Sequence, residues 1–253
     1  MPNATTDTKD WVRLFHPVTA PTARVVCFPH AGGSASFYHP VSRALQPEIE
    51  VLTIQYPGRQ DRRGEEPLTD IATLADRVYE ALRPELERSP RPAFFGHSMG
   101  ATVAFEVALR MRRDGLAPSV LIASGRRAPS HHRSEGVHLK DDAGLVAEIR
   151  GLSGTDARLL DDEEMLGAIL PAMRADYRAI ERYVGDADAV VDCPVEVFVG
   201  DSDEQVTLEE AHAWERHTTG ECVVRVFQGG HFYLMARAAE TTARLEAAVR
   251  THA

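Results

Sequence analysis

Six short apolar runs, rich in β-branched residues, punctuate this chain at 24–28 (RVVCF), 51–54 (VLTI), 93–95 (AFF), 120–123 (VLIA), 195–199 (VEVFV) and 223–227 (VVRVF). Several are apolar almost without interruption, as strands covered on both faces of a parallel sheet are. Between them lie helical patterns at 36–45, 70–88, 98–113, 207–217 and 235–250. In the third, Met99, Val103, Val107 and Met111 recur every four residues, and Gly100, Ala104 and Ala108 form a small-residue line beside them. That line lets a helix lie close on a sheet. Strands alternating with helices in this way predict an α/β fold, a mostly parallel central sheet flanked by helices. Residues 11–15 add a candidate edge strand, and residues 1–10 are polar and expected to fray. A chain of 253 residues suits one such domain with an insertion.

The alternation breaks once. Residues 130–192 hold no convincing strand but three helical patterns, at 141–150, 161–170 and 171–184. Asp161 and Glu164 have capping-box spacing, and Pro171 suits a helix start. Met165, Ile169, Met173 and Tyr177 lie on apolar stripes, the last two continuing to Ile180 and Val184. The segment reads either as a helical lid over an acyl pocket or as a structural insertion. The expected division is therefore a core of 11–129 and 193–253 with 130–192 inserted.

Chemistry is concentrated at Gly96-His97-Ser98-Met99-Gly100. As a bare string, Gly-x-Ser-x-Gly arises by chance in roughly one chain of this length in ten. Here an apolar strand runs straight into it and a good helix follows, which is the setting of a nucleophile elbow. Ser98 then stands at the carboxyl edge of the sheet, with the Met99 N–H available to a developing oxyanion. A serine hydroxyl needs a base. His231, in the Gly-flanked loop Gln228-Gly229-Gly230-His231-Phe232 after the last strand, occupies the place expected of it. His97 is expected to be turned away by the elbow, and His212 and His217 to be solvated on their helix. The acid should follow the preceding strand, where Asp201, Asp203 and Glu204 compete and position alone does not separate them. The second oxyanion donor is expected from the loop Pro29-His30-Ala31-Gly32-Gly33, through the Ala31 N–H.

Charge narrows the partners. The net charge is −10, from 28 basic and 38 acidic residues, which argues against nucleic acid. No run of 18 apolar residues exists to span a membrane. No secretory signal is visible, and three well-separated cysteines fit a reducing cytoplasm. Nothing has the spacing of a metal site or a nucleotide-binding loop, so no metal or cofactor is expected. Two post-strand loops are nevertheless basic: Tyr56-Pro57-Gly58-Arg59-Gln60-Asp61-Arg62-Arg63, and the stretch from Gly125 that carries Arg126, Arg127 and Arg133. They read either as a basic mouth for a phosphate or an acidic partner, or as solvated loops.

Taken together, CFPHAGG (27–33), YPGRQDRRGEEP (56–67), FGHSMGATVAFE (95–106), PAMRADYRAIERY (171–183), VGDSDEQV (199–206) and GGHFYL (229–234) resemble the stand-alone type II thioesterases of polyketide and nonribosomal peptide biosynthesis. The resemblance covers about residues 11–250, and the combination of PHAGG, PGR, GHSMG and RAD is far more specific than Gly-x-Ser-x-Gly alone. It implies an α/β-hydrolase fold with a helical lid. It implies hydrolysis of acyl or aminoacyl thioesters on the phosphopantetheine arm of acyl or peptidyl carrier proteins, through an acyl-serine and a Ser98–His231–Asp203 triad. The family places its acid three residues after the strand-end glycine, which is Asp203 here. Arg59, Arg62, Arg63, Arg126 and Arg127 become candidates for the carrier-facing rim. Two departures stand out: Tyr56 where Leu is commoner before PGR, and Glu204-Gln205 in place of a Pro-containing sequel to the acid. The same triad would also serve a free-ester hydrolase or an acyltransferase.

Overall fold

A computed structural model describes residues 8–89, 91–133, 135–152 and 162–253. Seven strands form one sheet in the order β1-β3-β2-β4-β5-β6-β7. They are β1 (Val12–Leu14), β2 (Ala23–Phe28), β3 (Ile49–Ile54), β4 (Ala93–His97), β5 (Leu121–Ser124), β6 (Val195–Gly200) and β7 (Cys222–Phe227). Every pairing is parallel except β1 with β3. The expected edge strand is thus real and runs antiparallel. The helices are α1 (Thr8–Trp11), α2 (His39–Ala44), α3 (Ile71–Arg88), α4 (Met99–Arg113), α5 (Asp142–Leu152), α6 (Glu163–Arg182), α7 (Leu208–His212), α8 (Tyr233–Ala236) and α9 (Ala238–His252). A strand-then-helix order on a mostly parallel sheet, with an elbow after a central strand, is the α/β-hydrolase fold.

The unbroken apolar runs have a direct cause. Val26 and Phe28 of β2 enter the core cluster under α3 and α4, whereas Val25 and Cys27 enter the cluster under α9. Phe94 and its neighbours Ala93 and Phe95 divide in the same way. Both faces are covered, so alternation of apolar with polar residues disappears. The sheet reverses its winding between β2 and β4, and a crevice opens beyond the carboxyl ends of strands at such a point. The loops after β2 and β4, which carry His30–Gly33 and Ser98, both emerge there.

The insertion departs from expectation in two respects. The patterns at 161–170 and 171–184 form one helix, with Pro171 inside it rather than at its start. The ring removes the N–H that would reach the Gly167 carbonyl and crowds that carbonyl, yet the helix runs on through it to Arg182. Its cap is Asp162, whose carboxylate accepts from the Glu164 and Met165 N–H groups. Asp161 lies outside the described residues, as do residues 1–7 of the expected frayed terminus, while Thr8–Trp11 forms a helical turn. Helices α5 and α6 pack on each other through Leu145, Ile149, Leu170 and Met173. Val184 and Met165 are exposed, so the apolar stripe covers only the middle of α6.

The two glycines of the elbow are demanded by proximity. A Cβ on Gly100 would lie 2.0 Å from the Phe28 carbonyl oxygen, and one on Gly96 would lie 2.3 Å from that of Gly100. Gly100→Ala should therefore lower stability by at least about 1–3 kcal/mol, the usual effect of overpacking. Gly64→Ala, with nothing within 4 Å of the added atom, should stay within about 0.5 kcal/mol of the parent. Urea midpoints of the two variants check the contrast.

Candidate active site

The sharp turn is made by Ser98 itself, not by its glycines. Its backbone is at φ 52° and ψ −120°, a region that non-glycine residues rarely occupy. The Ser98 N–H donates to the Ser124 carbonyl at 2.8 Å, and the Ser98 carbonyl accepts from the Ala101 N–H at 3.0 Å. The strand above and the helix below thus hold the turn from both sides. Ser98 caps α4, and Met99 is the first residue of that helix. Neither the Met99 nor the Ala31 N–H has an acceptor among the described residues. Ala31, Ser98, Met99 and His231 all line one narrow cleft of about 50 Å³.

His231 is buried, and its Nδ1 lies 3.1 and 3.0 Å from the two carboxylate oxygens of Asp203. The competition among the three acids has a geometric outcome. Asp201 is exposed and accepts from the Gly229 N–H at 3.0 Å, which shapes the loop carrying His231. Glu204 is exposed. The Gln205 N–H donates to Asp203 Oδ1 at 2.8 Å, so the loop orients this carboxylate without the proline of the commoner pattern.

Two further histidines form the floor. His97 is fully buried; its Nδ1 pairs with Ser124 Oγ at 2.9 Å, and that hydroxyl pairs with Tyr233 OH at 2.6 Å. The elbow turns His97 under the site rather than away from it, since its ring centroid is 5.0 Å from that of His231. His30 is also buried and lies 5.9 Å from His97. Burial, with the His231 charge opposing a second one, pushes His97 well below the usual histidine range and His30 down to about 3. Both are neutral at working pH. His217, expected in solvent, is buried instead; its Nδ1 pairs with the Ala189 carbonyl and its Nε2 with Ser130 Oγ.

The basic rim is largely dismantled. Arg59 is buried against Asp176 of α6, with contacts of 2.6 and 3.0 Å. Arg62 is buried too; it clasps Glu65, donates to the Gln55 carbonyl at 2.7 Å and lies 4.3 Å from the Trp11 ring centre. Arg127 is buried and paired with Glu135, and Arg133 pairs with Glu210. Arg59 turns inward to a carboxylate on α6, and Arg62 and Arg127 to carboxylates of their own loops, while Arg133 stays exposed. Arg63 remains exposed. Arg126 lines the cleft together with Arg127 and Arg133, but its guanidinium has no hydrogen-bond acceptor among the described residues. Burial and the Arg127 charge lower its pKa, but it stays cationic at neutral pH.

Of the expected acyl-pocket residues, Tyr177 borders the cleft, and Met173 borders a small apolar recess continuing from it beside Ile149 and Leu152. Ile169 packs in the cluster between α5 and α6, and Met165 faces solvent. Two residues that carried no assigned role also matter. Asp176 sits on the buried face of α6, three residues after Met173; a carboxylate on an apolar stripe was the available signal. Glu181 accepts from the Val137 and His138 N–H groups and pairs with the His138 ring. Burial works to raise its pKa, but those hydrogen bonds outweigh it and hold the carboxyl below its usual range.

A family model described as a thioesterase domain matches residues 23–249. The chain belongs to the thioesterase family. It is 54% identical over 224 residues to a probable cadicidin biosynthesis thioesterase of Streptomyces griseus; the match takes in 88% of this chain but 62% of that protein, under two-thirds of its length. It is 49% identical over 225 residues to thioesterase PikA5 of Streptomyces venezuelae, covering 88% of this chain and 80% of that one. Among solved structures, the type II thioesterase BorB from the borrelidin biosynthetic cluster matches with a TM-score of 0.88 at 45% identity, covering 98% of this chain and 100% of that one. The thioesterase likeness read from PHAGG, PGR, GHSMG and RAD therefore extends to the whole fold, and the chain is a thioester hydrolase. No helix among the described residues is long and apolar enough to cross a membrane.

The neutral histidines set a pH dependence. Unfolded, His30 and His97 take up protons near pH 6.5; folded, they do not. The unfolded chain binds more protons as pH falls, so stability is complete above about 6.5 and declines below it. Between pH 6.5 and 5, above the range of most carboxylates, the decline should reach up to about 1.4 kcal/mol per pH unit for each ring. Urea unfolding at several pH values measures it; a flat profile there would mean that both rings protonate within the fold.

Proposed function

We propose that this thioesterase releases acyl or aminoacyl groups from the phosphopantetheine arms of acyl or peptidyl carrier proteins of polyketide or nonribosomal peptide synthesis, using Ser98, His231 and Asp203. The observation that carries the reading is the buried Asp203–His231 pair opening on the cleft where Ser98 stands in its strained turn. Relatives named for biosynthesis of cadicidin and borrelidin support the setting.

His231 takes the Ser98 hydroxyl proton as Oγ attacks the thioester carbonyl. Asp203 holds the imidazole with Nδ1 inward and stabilises the imidazolium. The Ala31 and Met99 N–H groups, which have no other acceptor among the described residues, receive the oxyanion. The tetrahedral adduct collapses, the C–S bond breaks and the pantetheine thiol leaves. Water, deprotonated by His231, then cleaves the acyl-Ser98 ester and regenerates the serine. Helices α5 and α6 form the lid of this reading. Tyr177 and Leu152 line the cleft and Met173 the recess that continues from it, and these side chains would meet the acyl group. Arg126, in the cleft without an acid partner among the described residues, and the exposed Arg63 are the rim cations best suited to meet the arm's phosphate and an acidic carrier. Phosphopantetheine belongs to the substrate, and the reading requires no cofactor of the enzyme.

Ser98→Ala should reduce hydrolysis of an acyl carrier by roughly a million-fold, and His231→Ala by a similar factor. Asp203→Asn should lose on the order of 10⁴-fold, and Asp201→Asn far less. A mass shift on Ser98 after incubation with an acyl carrier, absent in Ser98→Ala, tests the acyl-serine directly. Turnover of Ser98→Ala within tenfold of the parent would overturn the mechanism. Preference for a small oxygen ester over the carrier, or transfer to an added alcohol or amine instead of water, would favour the esterase or acyltransferase alternatives.

For the rim, Arg126→Gln should raise KM for an acyl carrier several-fold and change KM for a short neutral thioester little. Added salt should weaken the carrier reaction of the parent more than that of the variant, since exposed charges are screened beyond about 8 Å at physiological ionic strength. Equal effects on both substrates would remove Arg126 from arm recognition.

A further inference from the structure

The loop that presents Ala31 is held from outside by a buried ion pair. Gly33 N–H donates to the His30 carbonyl at 2.9 Å. In a trans peptide the carbonyl and the following N–H point in opposite directions. That bond therefore turns the Ala31 N–H out of the loop. The next peptide is fixed by Asp176, whose Oδ2 accepts from the Gly32 N–H at 2.8 Å. The same oxygen accepts from Arg59 Nη1 at 2.6 Å, while Oδ1 accepts from Nη2 at 3.0 Å. Arg59 Nη1 also donates to the Gly33 carbonyl at 3.1 Å, and its Nε to the Pro57 carbonyl at 3.2 Å.

Two peptides of a four-residue turn are thus tied to one bidentate pair, which joins the loop after β3 to helix α6. Gly32 has φ +74°, and a Cβ on it would lie 2.3 Å from Met173 Cε, so α6 rests directly on the turn. Asp176 and Arg59 are 1% and 7% exposed. Pairs this deep contribute little net stability, because desolvation opposes their attraction. Bonds from both members to the same short turn have a geometric use.

We propose that Arg59 and Asp176 are positioning residues that set the direction of the Ala31 N–H, so that the inserted helix α6 completes the oxyanion site. This rests on the role given to Ala31 under Proposed function. The pair touches neither the substrate nor Ser98 and acts through Gly32 and Gly33. An N–H displaced by about 1 Å loses most of its hold on a developing oxyanion while still allowing the ground-state thioester to bind.

The test replaces both charges together, Arg59→Met with Asp176→Leu, which fills similar space and strands no ion. The double variant should unfold cooperatively at a temperature near that of the parent. Its kcat should fall about 100-fold, with KM little changed. Affinity for an alkyl trifluoromethyl ketone, whose Ser98 adduct carries an oxyanion, should fall by the same factor. Asp176→Asn, which keeps an acceptor for Gly32, should lose less than Asp176→Ala, with kcat counted per folded molecule. A purely structural pair would change the unfolding temperature and leave kcat and ketone affinity per folded molecule intact. That outcome in the double variant overturns the proposal, as does an Asp176→Asn that loses as much kcat as Asp176→Ala, or a fall in kcat without a fall in ketone affinity. Ser98→Ala run alongside separates the two readings. If it retains turnover, the mechanism itself fails; if it is inert while the double variant matches the parent, only the positioning role falls.

Discussion

At Gly100 the first turn of α4 meets the end of β2 with no side chain between them, so close that a single added carbon would strike the Phe28 carbonyl. The geometry of the site descends from that contact. It brings the carboxyl end of β2 beside the amino end of α4, which places the Ala31 loop and the Met99 amide on one cleft. It also leaves the chain between β4 and α4 only one residue in which to reverse, and Ser98 takes up that reversal in a backbone region costing on the order of 1–3 kcal/mol. Hydrogen bonds to Ser124 and Ala101 hold the turn, and the packed sheet below keeps it from relaxing.

The floor beneath this turn is unusually aromatic and uncharged. His97 is fixed through Ser124 to Tyr233, and Phe232 packs edge-on against both His30 and His97. Because burial keeps His30 and His97 neutral, neither adds a positive charge to oppose a proton arriving on His231. The carboxylate of Asp203 lies against that ring, 3.0 Å from its Nδ1. A low-dielectric floor strengthens their interaction and keeps water away from it.

The charges around the cleft follow the same economy of space. A chain of net charge −10 carries several arginines beside its site, yet Arg59, Arg62 and Arg127 are turned into the protein and matched there by Asp176, Glu65 and Glu135. Arg59 ties the loop after β3 to α6, whereas Arg62 and Arg127 pair within their own loops. Arg126, Arg127 and Arg133 all line the cleft, and of these only Arg126 lacks a hydrogen-bonded acid among the described residues. The inserted helix α6 is therefore bound to the turn at Gly32 through Asp176 and Met173, not merely laid across it.

The alternation of apolar runs with helical periods was enough to place six parallel strands within a residue or two of their observed limits, because burial on both sheet faces writes itself into local composition. Gly-x-Ser-x-Gly between a strand and a helix, and the Gly-flanked His231 after the last strand, were legible for the same reason: backbone approach and turning demand particular residues at particular places. Asp203 was singled out only through family resemblance, since three acids in one loop are equivalent until the loop is folded and one carboxylate faces Nδ1. The inward turn of the arginines, the burial of His97 and His217 and the single helix through Pro171 were decided by tertiary structure. Some partners lie far along the chain, Asp176 being 117 residues from Arg59 and Ser124 27 from His97, while Glu65 and Glu135 lie close to Arg62 and Arg127 in sequence but meet them only through the fold of their loops. Local sequence determines which elements form and which chemical groups they carry; the folded sheet decides which of those groups meet, because charge pairing and desolvation act through space and leave no period in the sequence.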